Sequence, residues 1–138
     1  IVPVEENTEK AILLARDIAK TLKFKHISVL TPQEHDRMIG FLSQLTHVIA
    51  VSLMNVADNP HLVDYTGDSF RDLTRIANIK EKLWPELFVL NKKNLTEEID
   101  AFVQEMNAFK DLLQKEDYEG MQQKMILSSQ RRKMFDKK

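Results

Sequence analysis

A long apolar helix that begins at Thr31 constrains the fold of this chain more than any other segment. Thr31 offers an N-cap hydroxyl, and Glu34 completes a capping box. Pro32 occupies the first helical position, where its missing N–H costs nothing. From Met38 to about Ala57, apolar residues occur on nearly every side of the predicted helix, and such a helix is buried on most sides. The chain therefore needs other elements to cover it.

The remaining patterns predict mainly helices. Apolar spacing indicates helices over residues 8–22, from Phe70 behind a Ser69 cap, and over 117–135. It also indicates a helix that restarts at Asn78, has a kink or a boundary at Pro85, and is followed by a long amphipathic helix to about Lys115. Residues 1–4 and 25–30 have the composition of short strands. We expect a mostly α fold in two parts: residues 1–30 as the strand–helix–strand tail of an α/β domain, and residues 31–138 as a helical domain. Because the chain starts at Ile1 rather than Met, we expect a processed product or a fragment.

Composition excludes several classes of protein. The 138 residues are 43% hydrophobic and 30% charged, which is ordinary for a soluble domain. The formal net charge of -1 lacks the basic footprint of a nucleic-acid or membrane-surface binder. The chain has no cysteine, so disulfides and thiolate metal sites are excluded. No uninterrupted run of about 18 apolar residues occurs, as a bilayer-spanning helix would need. We expect a cytoplasmic protein with no nucleic-acid or membrane partner.

Glycine and histidine spacing exclude two kinds of site. The only glycines are Gly40, Gly67 and Gly120, so neither a Gly-x-Gly-x-x-Gly turn nor a Walker loop can form. His35 and His47 lack the His-x-x-x-His spacing of helical zinc sites, and we expect no metal.

Polar residues interrupt the apolar helix along one predicted face. Asp36, Gly40, Ser43 and His47 are spaced i, i+4, i+7 and i+11, which places them on the same side of a regular α-helix. One interpretation is structural, with Ser43 bonded to a nearby carbonyl and His47 satisfied in the core. The other is a ligand groove in which His47 and Ser43 donate hydrogen bonds.

A second polar segment runs from Gly67 to Ala77. Asp72 and Arg75, at i and i+3, are expected to form an intrahelical ion pair or to present Arg75 to a carboxylate with Asp72 as its support. Arg71 is an equal candidate for that contact by spacing. Trp84 is interpreted either as a core residue or as the wall of a pocket.

Together these segments resemble the C-terminal domain of the prephenate dehydrogenases. The family has Pro-x-x-His-Asp, then Ser-His-Leu-Pro-His, then Gly-x-x-Phe-Arg-Asp-x-Thr-Arg-Ile-Ala, and then a Trp. Gln44 and Thr46 depart from the family's His and Pro. The corresponding segments in this chain are Pro32 to Asp36, Ser43 to His47, Gly67 to Ala77, and Trp84.

The resemblance implies a helical bundle of the 6-phosphogluconate dehydrogenase C-terminal-like type, which forms a homodimer and binds substrate. It also implies an activity, the NAD-dependent oxidative decarboxylation of prephenate to 4-hydroxyphenylpyruvate in tyrosine biosynthesis. The family's catalytic His lies in its nucleotide-binding domain. The resemblance therefore implies no catalytic residue in this chain, NAD bound mainly by the missing domain, and no turnover by the chain alone.

The resemblance also assigns roles to side chains. Prephenate is a dicarboxylate, so it needs cationic and hydrogen-bonding anchors. Arg75 is the expected carboxylate contact, and His47 and Ser43 are expected to bind the substrate's other polar groups. The residues expected to support this pocket are His35, Asp36, Gly67, Asp72 and Trp84.

The sequence leaves two alternative functions open. An arogenate dehydrogenase differs only in preferring an amino group on the substrate side chain, and a non-enzymatic helical dimerisation module would use the polar face structurally. The sequence also leaves open the choice of NAD or NADP, inhibition by tyrosine, a further C-terminal regulatory domain, and the choice of Arg71 or Arg75 as the substrate anchor.

Overall fold

The protein is helical throughout most of the residues described by the computed structural model, which are 1–56 and 58–136. A π-helical segment, Gly40–Leu45, joins the second and third α-helices, and 3₁₀ turns at Pro60–Tyr65 and Arg75–Ala77 flank the fourth. The predicted mostly α class is confirmed, while the finer assignment to a bundle type stays a prediction. The α-helices are α1 Glu9–Thr21, α2 Pro32–Ile39, α3 Thr46–Val56, α4 Asp68–Thr74, α5 Trp84–Leu90, α6 Lys92–Gln114 and α7 Tyr118–Lys133.

The predicted capping box starts α2. The Thr31 hydroxyl oxygen accepts the Glu34 N–H at 3.2 Å, and the Glu34 carboxylate accepts the Thr31 N–H at 2.8 Å. These bonds from the Thr31 backbone and hydroxyl to the ionised form lower the pKa of Glu34 below its ordinary value. Thr8 caps α1 and Asp117 caps α7 with a single bond each, in which the side-chain oxygen accepts the N–H three residues later, so these three helix starts follow from local sequence.

The predicted strands are corrected, because no strand forms among the residues described. Residues 1–4 and 25–30 are extended and meet through only two bonds. The Ile1 ammonium donates to the Ser28 carbonyl at 2.8 Å, and the Leu30 N–H donates to the Ile1 carbonyl at 3.0 Å. Two bonds without a third neighbouring segment do not make a sheet ladder, which needs several strands for stability.

Several predicted helix boundaries also change. The fourth helix begins at Asp68 with Gly67 as its N-cap, so Ser69 is not the cap. No helix starts at Asn78. Instead α5 begins at Trp84, with Pro85 in its first turn. The long helix from Thr31 continues through Val56 but contains the π segment, and its predicted end at Ala57 lies outside the described residues.

The chain forms two compact units, Ile1–Glu98 and Ile99–Lys138, and every predicted site residue belongs to the first. Within the described part of that unit, the buried apolar residues are Leu45, Ala50 and Leu95. Many large apolar residues in the same unit stay exposed, including Val63 and Leu90.

One helix among the described residues, Pro32–Val56, is long and apolar enough to cross a membrane by length and composition alone. This corrects the expectation that no such segment exists, which considered only uninterrupted apolar runs. The average composition tolerates interruptions such as Gln44 and His47, and core helices of soluble proteins meet the same criterion. The Gln44 side chain donates to the Leu87 carbonyl of another helix, whereas that of His47 bonds to a carbonyl of its own helix. The Gln44 bond is typical of a helix packed against protein.

Candidate functional site

His47 has one ring nitrogen fixed by the backbone. It is half-buried at the first turn of α3, and its Nδ1 lies 2.8 Å from the carbonyl oxygen of Ser43. A carbonyl oxygen only accepts, so Nδ1 carries the proton and donates it. No group in the described part of the chain hydrogen-bonds Nε2. That nitrogen therefore remains for an external partner, as an acceptor in the neutral ring and as a donor in the imidazolium.

Trp84 packs against the imidazole of His47. The two ring centroids are 3.9 Å apart with an interplanar angle of 31°, and the ring centroid of Phe88 lies 5.4 Å from that of the indole. Trp84 is half-buried rather than enclosed. Its indole therefore lies against the His47 ring, an arrangement compatible with either interpretation of Trp84, a core residue or the wall of a pocket.

Ser43 contributes its carbonyl oxygen to this arrangement. That oxygen accepts the His47 Nδ1–H and also the Thr46 hydroxyl, which lies 2.7 Å away. Thr46 stands where the family pattern has Pro, which has neither a hydroxyl nor an N–H. The departure thus adds a hydrogen bond to the carbonyl that orients His47. The Ser43 side chain is half-buried on the π segment.

The π segment breaks the single polar face predicted from α-helical spacing. Its hydrogen bonds join residues five apart rather than four, so positions before and after Gly40–Leu45 are rotated relative to a regular helix. Gly40 becomes buried and Asp36 stays exposed, while Ser43 and His47 are half-buried. Of the predicted face, Ser43 and His47 are joined by a side-chain hydrogen bond, and Gly40 donates a backbone one to the Asp36 carbonyl.

A buried amide network lies behind His47 and was missed by sequence reasoning. Gln44 is only 4% exposed. Its side-chain nitrogen donates to the Leu87 carbonyl at 3.0 Å, and its oxygen accepts from Asn91 at 2.7 Å. Asn91 also donates to the Asp36 carbonyl at 2.8 Å and accepts from Asn94 at 2.7 Å. The sequence signal that could have revealed this network is a glutamine, Gln44, inside an otherwise apolar helix.

Arg75 and Asp72 do not form the expected ion pair among the described residues. Instead Arg71 pairs with Asp68, with Nη2 and Oδ1 at 3.3 Å and both side chains exposed. Arg75 is exposed in the 3₁₀ turn Arg75–Ala77, and this turn packs on α3, the helix that carries His47. The structure therefore brings the Arg75 and His47 elements together and leaves the Arg75 guanidinium without a carboxylate partner in the described part of the chain.

The remaining predicted residues lie in two places. His35 and Asp36 contact each other in the first turns of α2, with Nδ1 and Oδ1 3.0 Å apart and both side chains about half exposed. Gly67 caps α4 with an ordinary extended conformation, and a Cβ added there would meet nothing within 4 Å. No conformational demand therefore explains this glycine. The described residues also contain no group of three His, Cys, Asp or Glu side chains that could hold a metal ion.

A separate apolar groove of about 390 Å³ lies between the end of α3, the Pro60–Tyr65 turn and α4. Its polar lining groups are bonded locally. Asn59 accepts the His61 N–H, Thr66 donates to the Val63 carbonyl, and Thr74 donates to the Phe70 carbonyl. The groove therefore offers mainly apolar surface. Of the candidate substrate contacts, Arg71 lines the groove, whereas Arg75, His47 and Ser43 do not.

Comparison with known proteins assigns this helical domain to a family. The model of the family described as "Prephenate dehydrogenase, dimerization domain" matches residues 31–127. The prephenate dehydrogenase of Bacillus subtilis is 23% identical over 126 residues, which are 88% of this chain and 34% of that protein. The cyclohexadienyl dehydrogenase of Zymomonas mobilis is 26% identical over 97 residues, or 66% of this chain and 33% of that protein.

Solved structures agree with this assignment. The prephenate dehydrogenase of Aquifex aeolicus, in complex with hydroxyphenyl propionate and NAD+, superposes with a TM-score of 0.86 at 26% identity over 98% of this chain and 49% of that chain. The Synechocystis arogenate dehydrogenase has the same fold, with a TM-score of 0.82 at 16% identity over 97% of this chain and 50% of that chain.

The chain thus spans about a third of the length of these curated relatives and about half of the solved ones. The family match covers most of the 138 residues, including each of the motifs identified in the sequence. The chain belongs to the prephenate dehydrogenase family and contains its dimerization domain.

Proposed function

We propose that this chain is the dimerisation and substrate-binding part of a cytoplasmic, NAD-dependent prephenate dehydrogenase of tyrosine biosynthesis. The whole enzyme would convert prephenate and NAD+ into 4-hydroxyphenylpyruvate, CO2 and NADH. One observation carries the proposal. His47 is stacked on Trp84 with Nδ1 committed to the backbone, on the helix against which the Arg75 turn packs.

These side chains fit the chemistry of prephenate, a dicarboxylate that also carries an apolar ring. The Arg75 guanidinium presents a planar fork suited to a carboxylate, and it has no competing carboxylate among the described residues. The Nε2 of His47 and the hydroxyl of Ser43 would bind further polar groups of the substrate. The indole of Trp84 would cover the apolar ring. His35, Asp36 and Asp72 would support this pocket at its edges.

The residues present do not fit the pyrophosphate of a dinucleotide, because the three glycines form no glycine-rich turn. The related Aquifex structure contains NAD+, and the relatives are two to three times longer than the matched segments. We therefore assign NAD binding and the catalytic histidine to a nucleotide-binding domain beyond these residues. Residues 1–30 would belong to that domain, and the helical domain would start at residue 31, where the family match also begins.

The partner of this domain would be a second copy. Large apolar residues of the first unit stay exposed, and Val63 in the apolar groove is 74% exposed. Contiguous exposed apolar surface of this kind marks interaction sites, and the matched family model is a dimerization domain. Sedimentation at micromolar concentration should give twice 16.1 kDa, and Val63→Asp should shift the protein toward the monomer. A wild-type monomer would contradict this assembly.

The activity is tested on the complete protein that contains this chain. NADH absorbance is followed after NAD is added with prephenate and, separately, with arogenate. NADH formation with prephenate is the expected result, and the 138-residue chain alone should form none. Replacing NAD by NADP in the same assay identifies the preferred cofactor.

Two other functions give different results in this assay. NADH formation with arogenate in place of prephenate would identify an arogenate dehydrogenase, whose substrate differs by one amino group. A folded complete protein that is silent with both substrates would favour a non-enzymatic dimerisation module. In that case the stacked His47 and Trp84 would have a structural role only.

A further inference from the structure

The π segment and the following helices meet in a regular antiparallel register. Gly40 lies against Asn91, with an added Cβ only 3.5 Å from its side-chain nitrogen. Gln44 bonds to the Leu87 carbonyl, and His47 stacks on Trp84. The contacts advance by four and then three residues from Gly40 to His47. Their partners go back by four and then three residues, from Asn91 to Trp84. The Gln44 and Asn91 bonds therefore lie on the same line of contacts as the stack.

The hydrogen-bonding groups at the centre of this register are satisfied. Both Asn91 N–H groups are used, one on the Asp36 carbonyl and one on the Gln44 oxygen. Among the described residues, no buried side-chain polar atom lacks a partner. A buried polar network that is fully satisfied specifies one arrangement of its elements, because any slip leaves unpaired groups behind. This network joins α2, the π segment, α5 and α6.

We propose that Gln44 and Asn91 are positioning residues for the substrate site, which set the register of α5 against the π segment and so hold Trp84 on His47. The proposal rests on the proposed dehydrogenase function but extends it to two residues that were assigned no role at the substrate site, Gln44 and Asn91. Neither side chain needs to touch substrate. Gln44 acts through Leu87, one helical turn after Trp84, and it adjoins Ser43, whose carbonyl orients His47.

The residue that the family has at position 44 fits this role. A neutral imidazole offers one donor and one acceptor. Gln44 uses the same pair, donating to Leu87 and accepting from Asn91. Histidine could therefore replace the glutamine in the network, whereas methionine fills similar space without either bond. This comparison separates the hydrogen bonds of Gln44 from its volume.

The test uses Gln44→Met and Gln44→His with two readouts. Trp84 is the only tryptophan of the 138 residues, so the emission of this chain reports directly on its stack with His47. Gln44→Met should shift that emission to the red as the indole becomes more exposed. In the complete protein it should raise the KM for prephenate by about tenfold, the size expected for lost buried hydrogen bonds, with a smaller change in kcat. Gln44→His should keep both the emission and the KM close to their wild-type values.

Asp117→Ala is the matched control. It removes the cap of α7 in the second compact unit and should lower stability without changing either readout. Where Gln44→Met does not fold, Asn94→Ala removes only the outer bond to Asn91 and should give a smaller shift in the same direction.

Unchanged emission and KM in a folded Gln44→Met protein would overturn the proposal. Equal changes in Asp117→Ala would overturn it as well, since they would reflect stability alone. A wild-type complete protein without dehydrogenase activity would refute the proposed function, but the emission of the 138-residue chain would still test the positioning role.

Discussion

Replacing Arg75 by Ala is expected to weaken substrate binding with little effect on folding. Arg75 is exposed and pairs with no carboxylate in the described part of the chain, so its removal leaves no buried charge unpaired. A hydrogen bond to a charged group contributes about 1.5–3 kcal/mol. The KM for prephenate should therefore rise by about 10- to 150-fold, since each 1.4 kcal/mol is a factor of ten.

Arg71→Ala is the matched control for this prediction. Arg71 lies four residues earlier and is also exposed, but its guanidinium already pairs with Asp68 at 3.3 Å. Its loss should leave KM near the wild-type value, because Asp68 already engages its guanidinium. It should lower the free energy of unfolding by at most about 1 kcal/mol, the contribution of an exposed ion pair. Arg75→Lys should recover only part of the loss, since an ammonium lacks the planar fork.

The assay is steady-state NADH formation by the complete protein over a range of prephenate concentrations, with urea unfolding as the check on folding. A KM that stays at the wild-type value in Arg75→Ala would refute the assignment of Arg75. A large rise in Arg71→Ala instead would show that the wrong arginine was chosen.

Two further predictions concern stability. The lowered pKa of Glu34 means that its capping contribution is complete above its ordinary value of 4.5 and is lost as the pH falls through the lower, folded-state pKa. In urea unfolding, the wild type should thus lose more stability below pH 4.5 than Glu34→Gln, which does not titrate, and an equal acid response would contradict this. Leu95→Ala should lower the free energy of unfolding by about 2–5 kcal/mol because it empties a buried site. Leu13→Ala, at an exposed site, should change it by less than about 0.5 kcal/mol, and equal losses in calorimetry would contradict the assigned burial.

The helix starts were predictable because their causes are local. Thr31 and Glu34 satisfy each other across one turn, and Thr8 and Asp117 cap their helices over the same short distance. No distant part of the chain is needed to form these bonds. The strands predicted over residues 1–4 and 25–30 do not form, because a strand depends on neighbouring strands that local sequence spacing cannot reveal.

The candidate site was only partly predictable for the same reason. Motif resemblance selected His47, Ser43 and Trp84, and the structure joins these three through one hydrogen bond and one ring stack. The expected Asp72–Arg75 pair relied on regular helical spacing. The helix ends at Thr74, and Arg75 starts a 3₁₀ turn, so that spacing does not apply.

The sequence by itself determined the helical class, the caps and the family, since each depends on residues a few positions apart or on a contiguous motif. Only the tertiary structure determined the π segment, the inward orientation of Gln44 and the stack on His47. These features depend on bonds from Gln44 to Leu87 and from Asn91 to Asp36, across 43 and 55 residues. Such partners are chosen by the packing of whole helices, because a buried amide must find whichever donor or acceptor the neighbouring helix presents.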